Sequence, residues 1–355
     1  MGTNTMRYRT LGGTGIEVSA HCLGAMMFGE IGNPDHEDCA KIIHAALDRG
    51  INFVDTADMY SAGESEQIVG KALKGRRDDI VLATKVHFPM GDGPNRSGNS
   101  RRWITKAVED SLRRLQTDWI DLYQIHRPDP RTDIEETLAA LTDLVRAGKI
   151  RTFGSSTFHP EEIVEAYHVA DRRGLYRFRS EQPPYSILTR GIEASVLPEA
   201  LRLGMGVLTW SPLAFGFLSG KYRKNAPVDM ADRRPTFRPG YFDPALPENA
   251  AKYDAVEILA ALAEEIGCTL PQLAVAFVVA HPGVTSVILG PRTMDQLESL
   301  LAGADLVLDD EVLDRIDEIV PPGVDLYDPT ASNRTRPALT DKRRRRRPIE
   351  ERTAA

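Results

Sequence analysis

The sequence predicts a closed (β/α)8 barrel, and three observations carry that expectation. Eight short runs rich in Ile, Val, Leu or Phe alternate with helical segments along most of the chain. Strands linked through helices return the chain to the same end of the sheet, so they are parallel. The length, 355 residues, suits a barrel, which takes about 250 residues plus insertions. The competing architecture is an open doubly wound sheet, which usually marks a dinucleotide site with GxGxxG after its first strand. Here the first strand runs into Gly24-Ala25-Met26-Met27-Phe28-Gly29, and GxGxxG occurs nowhere.

The elements follow in order. Tyr8–Val18 places two extended runs around a Gly/Thr turn, a hairpin suited to plugging one barrel mouth. The strands are expected at Ala20–Leu23, Asn52–Asp55, Ile80–Lys85, Ile120–His126, Ile150–Ser155, Arg177–Gln182, Gly206–Trp210 and Ser286–Leu289. The clearest helix is Ala251–Ile266, with Tyr253, Val256, Leu259, Leu262 and Ile266 on one face. In Ser100–Gln116 the stripe is Ile104, Val108, Leu112 and Leu115, with Ser100 as N-cap. Asp38–Arg49, Ile134–Ala147, Pro160–Arg173 and Asp295–Ala302 behave similarly. Ser211–Asn249 is too long for an ordinary connection and rich in Pro, Arg and aromatics, which marks a lid or a disordered segment.

Hydrophobic residues make up 42 % and charged residues 27 %, an ordinary globular balance that excludes a disordered chain. No run approaches the roughly 18 apolar residues of a membrane span, and MGTNTMRYRT has no apolar signal core. Cys22, Cys39 and Cys268 lie far apart without CxxC spacing, which argues against metal and disulfides and for a reducing cytoplasm. The net charge of −7 hides an asymmetry, because residues 331–355 hold nine basic and three acidic residues, leaving the first 330 at −13. An acidic body is a poor binder of nucleic acid. The expected organisation is one barrel over residues 1–330 and a basic tail over 331–355, disordered at least from 341. The competing reading makes Lys342–Arg347 an anchor for nucleic acid or an anionic surface.

Catalytic side chains of such barrels sit at the C-terminal ends of strands. Those ends bring Asp55, Tyr60, Lys85 and His126 to one face. Singly, each has a bland reading: a packing tyrosine, a solvated lysine, a hydrogen-bonded core histidine. Together they make chemical sense. A buried Lys85 needs an anion, and Asp55 supplies it. A cation beside a phenol favours the phenolate and lowers its pKa from about 10. A phenol so tuned gives a proton to a developing alkoxide, and His126 can hold the same oxygen. No acyl-transfer nucleophile or metal cluster accompanies them, so the other half of the reaction is a hydride from a reduced nicotinamide.

These residues resemble the aldo-keto reductases. Asp55-Thr-Ala-Asp-Met-Tyr60, Thr84-Lys85 and Gln124-Ile-His126 look like that family's Asp-Tyr-Lys-His tetrad. Gly24–Gly29, Gly148–Arg151, Gln182–Ser186, Trp210–Leu213 and Gly216–Lys221 add to the likeness, which runs from about Tyr8 to Val320. The resemblance implies a barrel binding NADP(H) in extended form. It implies Tyr60 as general acid, Lys85 and Asp55 as its tuners, and His126 as the residue orienting the carbonyl. It implies cofactor contacts from Gly24, Ala25 and Met26, with Ser156, Thr157 and Gln182 at the carboxamide and Trp210 on the nicotinamide ring. Ser211, Leu213, Gly216 and Lys221 would wrap the pyrophosphate; Gly290, Arg292 and Gln296 would grip the adenosine end. Two positions depart from the family's pattern: Thr157 stands where Asn is usual, and Leu300 where another Asn is usual.

Arg292 favours NADP(H), because a guanidinium pairs with a 2′-phosphate; the alternative is stacking on adenine with either cofactor. The substrate pocket is expected from Met26, Met27, Phe28, His87, Phe88 and Arg127, with Pro322–Pro337 nearby. The expected activity is NADPH-dependent reduction of a small aldehyde or ketone. The alternative is a regulatory, redox-sensing subunit built on the same barrel, as in the family's potassium-channel β subunits.

Overall fold

The computed structural model describes residues 6–224 and 239–327. The tail over 331–355 and the middle of the Ser211–Asn249 connection, for which a lid or disorder is expected, lie outside the described residues.

Two short strands, β1 (Tyr8–Thr10) and β2 (Glu17–Ser19), pair antiparallel with Tyr8 opposite Ser19. The turn closes with Leu11 N–H donating to Ile16 O at 2.8 Å. Eight parallel strands follow: β3 (His21–Gly24), β4 (Phe53–Asp55), β5 (Val81–Val86), β6 (Ile120–Ile125), β7 (Ile150–Ser155), β8 (Ser180–Glu181), β9 (Gly206–Thr209) and β10 (Ser286–Leu289). They form a closed barrel in sequence order, with β10 pairing both β9 and β3. The sixth barrel strand, β8, is shorter than the expected Arg177–Gln182: Ser180 and Glu181 are the residues in register with its neighbours, and Pro183 and Pro184, just past Gln182, have no N–H to carry the ladder further.

Helices α1 (His36–Asp48), α2 (Glu64–Ala72), α3 (Arg101–Leu115), α4 (Ile134–Arg146), α5 (Pro160–Arg173) and α6 (Val196–Arg202) ring the barrel, followed by Ala250–Glu265, Leu270–Ala280, Met294–Leu301 and Asp310–Ile319. Ser100 caps α3 by accepting from the Trp103 N–H. Among the described residues, α2, α6, the short Pro239–Phe242, Leu270–Ala280 and Asp310–Ile319 fall outside the segments that periodicity singles out. Leu270–Ala280 is apolar almost all round, so it has no polar face to betray a helical period; its start is fixed by a Thr269/Gln272 capping box. Among the described residues no single helix is long and apolar enough to cross a membrane.

The core has two parts. A large one lies between strands and helices, and a small one fills the barrel with Val18, Cys22, Phe53, Val81, Ala83, Leu122, Leu208 and Ile288. Leu11 joins the inner core, so the hairpin plugs the N-terminal mouth. Gly12 makes that possible: at φ 54°, a Cβ would lie 2.6 Å from Arg179 O and 2.7 Å from Gly206 N. Arg9 latches the hairpin to the last turn of the barrel, donating to Val284 O (2.6 Å) and Val279 O (3.2 Å). The opposite, C-terminal mouth is left for chemistry.

Candidate active site

Asp55 ends β4, and its strand neighbour β5 carries Lys85. Inside a closed barrel both side chains are buried. The Lys85 ammonium is ion-paired with Asp55 Oδ1, donates to Thr56 O at 2.8 Å, and lies 3.4 Å from the Tyr60 hydroxyl. His126 follows β6, its N–H donating to Val86 O at 3.0 Å, and its ring meets the Tyr60 ring edge-on at 5.9 Å. The four side chains expected from the strand ends therefore do converge.

Tyr60 is aimed by an unusual turn. Ser61, Ala62 and Gly63 all have left-handed φ, at 47°, 55° and 97°. For non-glycine residues that conformation costs about 1–2 kcal/mol each. Ser61 offsets part of it by donating to Phe28 O and accepting from Ile31 N–H, both at 3.2 Å. Thr157 (φ 61°), Ser211 (58°), Ala214 (49°) and Phe215 (56°) repeat the pattern after β7 and β9. Strain of this kind gathers at functional sites because surrounding packing can over-determine it.

The electrostatics follow from burial. Burial raises the Tyr60 pKa and outweighs the opposing pull of Lys85, so the expected lowering is reversed and the phenol stays protonated. Burial acts to lower the Lys85 pKa, but Asp55 and Tyr60 outweigh it and the ammonium stands above its usual value. Burial, Lys85 and Arg127 hold His126 well below the usual imidazole range, so its ring is neutral.

Around this centre the other expected residues divide. Ser156 donates to Gln182 O at 2.9 Å, and Thr157 and Gln182 are buried beside it. Trp210 and Ser211 are half-buried at the end of β9, Leu213 is half-buried, and Gly216 lies at φ 109° in the following turn. Lys221 is exposed. Gly24 packs so closely that a Cβ would sit 2.6 Å from Ile288; Ala25 donates its N–H to Asp55 O, and Met26 is exposed. Gly290 faces open space, and Arg292 N–H donates to Gln296 Oε1 at 2.8 Å. Leu300 is buried in the outer core.

Of the pocket candidates, Phe88 meets the His126 ring at 4.9 Å, Arg127 lies over Phe88 at 5.7 Å, and His87 is half-buried and bonded to Asn99 at 2.9 Å. Met27 is half-buried. Phe28 is a correction: fully buried in the outer core, it offers no surface to a substrate.

Sequence reasoning missed an aromatic wall. Trp210 meets Phe215 (5.8 Å), Phe215 meets Tyr241 (5.8 Å), and Tyr241 meets Tyr327 (5.1 Å). Tyr327 is delivered by the segment after the last helix, which Arg190 clamps through Asp317 (2.7 Å) and Val320 O (2.6 Å). The aromatic letters are visible in the sequence, but their meeting depends on tertiary packing. Among the described residues no cluster of His, Cys, Asp and Glu could hold a metal ion.

This geometry agrees with the comparisons to known proteins. The model of the "Aldo/keto reductase family" matches residues 21–321. A Bacillus subtilis protein named as an uncharacterized oxidoreductase, YrpG, is 40 % identical over 328 residues, 89 % of this chain and 96 % of that protein. A probable voltage-gated potassium channel β subunit from Arabidopsis thaliana is 36 % identical over 323 residues, 89 % and 97 % of the two chains. A putative one from Schizosaccharomyces pombe is 36 % identical over 321 residues, 88 % and 93 %. With a closed eight-stranded barrel, buried Asp55, Lys85 and His126 meeting the half-buried Tyr60 at its C-terminal mouth, and a family match spanning nearly all of that barrel, the chain belongs to the aldo/keto reductase family.

Proposed function

We propose that the protein reduces an aldehyde or ketone to an alcohol, taking a hydride from NADPH and a proton from Tyr60. One observation carries the reading: Lys85, itself fully buried, stands between the buried Asp55 and the hydroxyl of the half-buried Tyr60. Tyr60, held protonated by burial, is ready to give its proton at neutral pH. Lys85 stabilises the phenolate left behind, and the cation matters more there than in water because it is buried away from bulk solvent. Neutral His126 can donate one hydrogen bond to the carbonyl oxygen without competing for the proton.

The residues present fit the cofactor. Ser156, Thr157 and Gln182 would hold the carboxamide, with Trp210 against the ring. Ser211, Leu213, Gly216 and Lys221 would take the pyrophosphate, and Gly290, Arg292 and Gln296 the adenosine end, beside Gly24, Ala25 and Met26. Arg292 has no acidic partner among the described residues, which leaves its guanidinium for a 2′-phosphate. Bound there, NADPH supplies the hydride. The aromatic wall and Phe88 suit a small apolar or aromatic carbonyl compound, with Met27, His87 and Arg127 at the rim. Free Cys22, Cys39 and Cys268 fit a reducing cytoplasm.

A second reading, a redox-sensing regulatory subunit, is supported by the names of the relatives from Arabidopsis thaliana and Schizosaccharomyces pombe. Following NADPH absorbance against sugars, aldehydes, diketones and aromatic ketones separates the two. Turnover that disappears in Tyr60→Phe supports the reductase. NADPH binding with no turnover of any carbonyl supports the regulatory subunit.

A further inference from the structure

Gln124 lies on β6, in register beside Lys85, and is fully buried within the barrel. Its amide nitrogen donates to Asp55 Oδ2 at 3.1 Å. Its amide oxygen accepts from the nitrogen of Gln182 at 3.1 Å. The same Gln182 nitrogen donates to Asp55 Oδ2 at 2.9 Å. Three buried side chains from three different strand ends thus close a hydrogen-bonded ring, and the other oxygen of Asp55 is the one paired with Lys85.

We propose that Gln124 is a positioning residue that couples cofactor capture to the proton donor by fixing both the Gln182 amide and the Asp55 carboxylate. The inference rests on the carbonyl-reductase reading above. A primary amide nitrogen has two hydrogens, and both of Gln182's are spent inside the ring. Only its oxygen remains, so the face it keeps for a cofactor is an acceptor. Rotating the Gln182 amide by half a turn would set its oxygen against the Gln124 oxygen and the Asp55 carboxylate, three acceptors with no hydrogen between them. Gln124 and Asp55 together therefore set the polarity of Gln182. Gln124 also supplies one of the two donors that keep Asp55 Oδ2 satisfied while Oδ1 serves Lys85.

The test compares NADPH with its 3-acetylpyridine analogue, whose acetyl group has no N–H to give an acceptor. Wild type should prefer NADPH. Gln124→Leu should lower NADPH affinity about tenfold, the loss expected of a hydrogen bond to a charged or buried partner. It should leave the affinity for the analogue unchanged and lower kcat. Gln124→Glu is isosteric and covers the case in which the leucine variant does not fold. Protonated, the introduced carboxyl donates to Asp55 and accepts from Gln182. Ionised, it loses that donor and faces Asp55, with Lys85, Tyr60 and His126 as the other titratable groups around it. Its kcat relative to wild type should rise as pH falls. Wild-type kcat and cofactor preference in Gln124→Leu overturn the proposal. So does an equal loss for both dinucleotides together with no pH-dependent rescue, which is what damaged packing alone would give. A wild-type protein that binds no NADPH overturns the underlying reading instead, and the inference falls with it.

Discussion

The Lys85 ammonium stands 3.4 Å from the Tyr60 hydroxyl, while its shorter 2.8 Å contact goes to the Thr56 carbonyl. The lysine is thus anchored independently of the tyrosine, and Tyr60→Phe should leave it in place. That variant should lose about 10²–10⁴-fold in kcat, the usual contribution of a general acid, with NADPH affinity nearly unchanged by fluorescence titration. Lys85→Met should lose a similar factor, because the cation opposing burial is gone and the Tyr60 pKa moves further up. In wild type, reduction should fall on the alkaline side as the phenol ionises, with no acid limb near neutral pH from His126. Full turnover in Tyr60→Phe would dismiss the assignment.

Arg292→Ala should weaken NADPH binding far more than NADH binding. The guanidinium has no acidic partner to lose among the described residues. A charge-assisted hydrogen bond contributes about 1.5–3 kcal/mol, roughly ten- to a hundredfold in Kd. Titrating both cofactors decides it, since equal weakening would mean that the side chain stacks on adenine.

Thr157→Asn should stabilise the protein. Thr157 sits at φ 61°, a conformation that costs a β-branched residue about 1–2 kcal/mol and that Asn tolerates better. The added amide also restores the group the family usually places at the carboxamide. The melting temperature should rise by roughly 2 °C, and NADPH should bind more tightly. A lower melting temperature would show that the threonine's local hydrogen bonds outweigh its backbone strain.

Asp58→Asn should be at least as stable as wild type at neutral pH and should gain on it as pH rises. Asp58 is fully buried, and neither carboxylate oxygen has a side-chain hydrogen-bonding partner among the described residues. Burial and the nearby Glu66 push its pKa well above 3.8, against weaker opposition from Arg114, the Met59 backbone N–H and Lys85; Tyr123 also faces it. Above the unfolded-state pKa the native protein holds a proton that the unfolded chain has released. Stability therefore falls with rising pH until the native group ionises. Asparagine removes that slope. Parallel melting curves of the two proteins across neutral to alkaline pH would reveal it, and parallel slopes would mean that Asp58 is already ionised.

The barrel and the four central residues are legible in the sequence because each has a local sign. Val81–Val86 and Ile120–Ile125 are apolar runs of strand length, and Asp55, Lys85 and His126 stand where such runs stop. The remainder of the site has no local sign. Ser61, Ala62 and Thr157 adopt left-handed backbone that their residue types do not favour, so nothing in composition announces it. Gln124 and Gln182 meet across 58 residues of chain. The direction of the Tyr60 pKa depends on how completely the mouth is buried, which residue types alone do not reveal.

Closure of the barrel has a consequence for how the protein is made. Val287, Ile288 and Leu289 of β10 pair with His21, Cys22 and Leu23, so the seam joins nearly the first barrel residues synthesised to nearly the last. Until β10 leaves the ribosome, β3 and β9 each present a row of unpaired amides and carbonyls. Such edges recruit other chains. Arrival of β10 removes both at once, and Arg9 then latches across the join to Val284. A nascent chain stalled before Ser286 should therefore be a stronger chaperone client than one released a few dozen residues later.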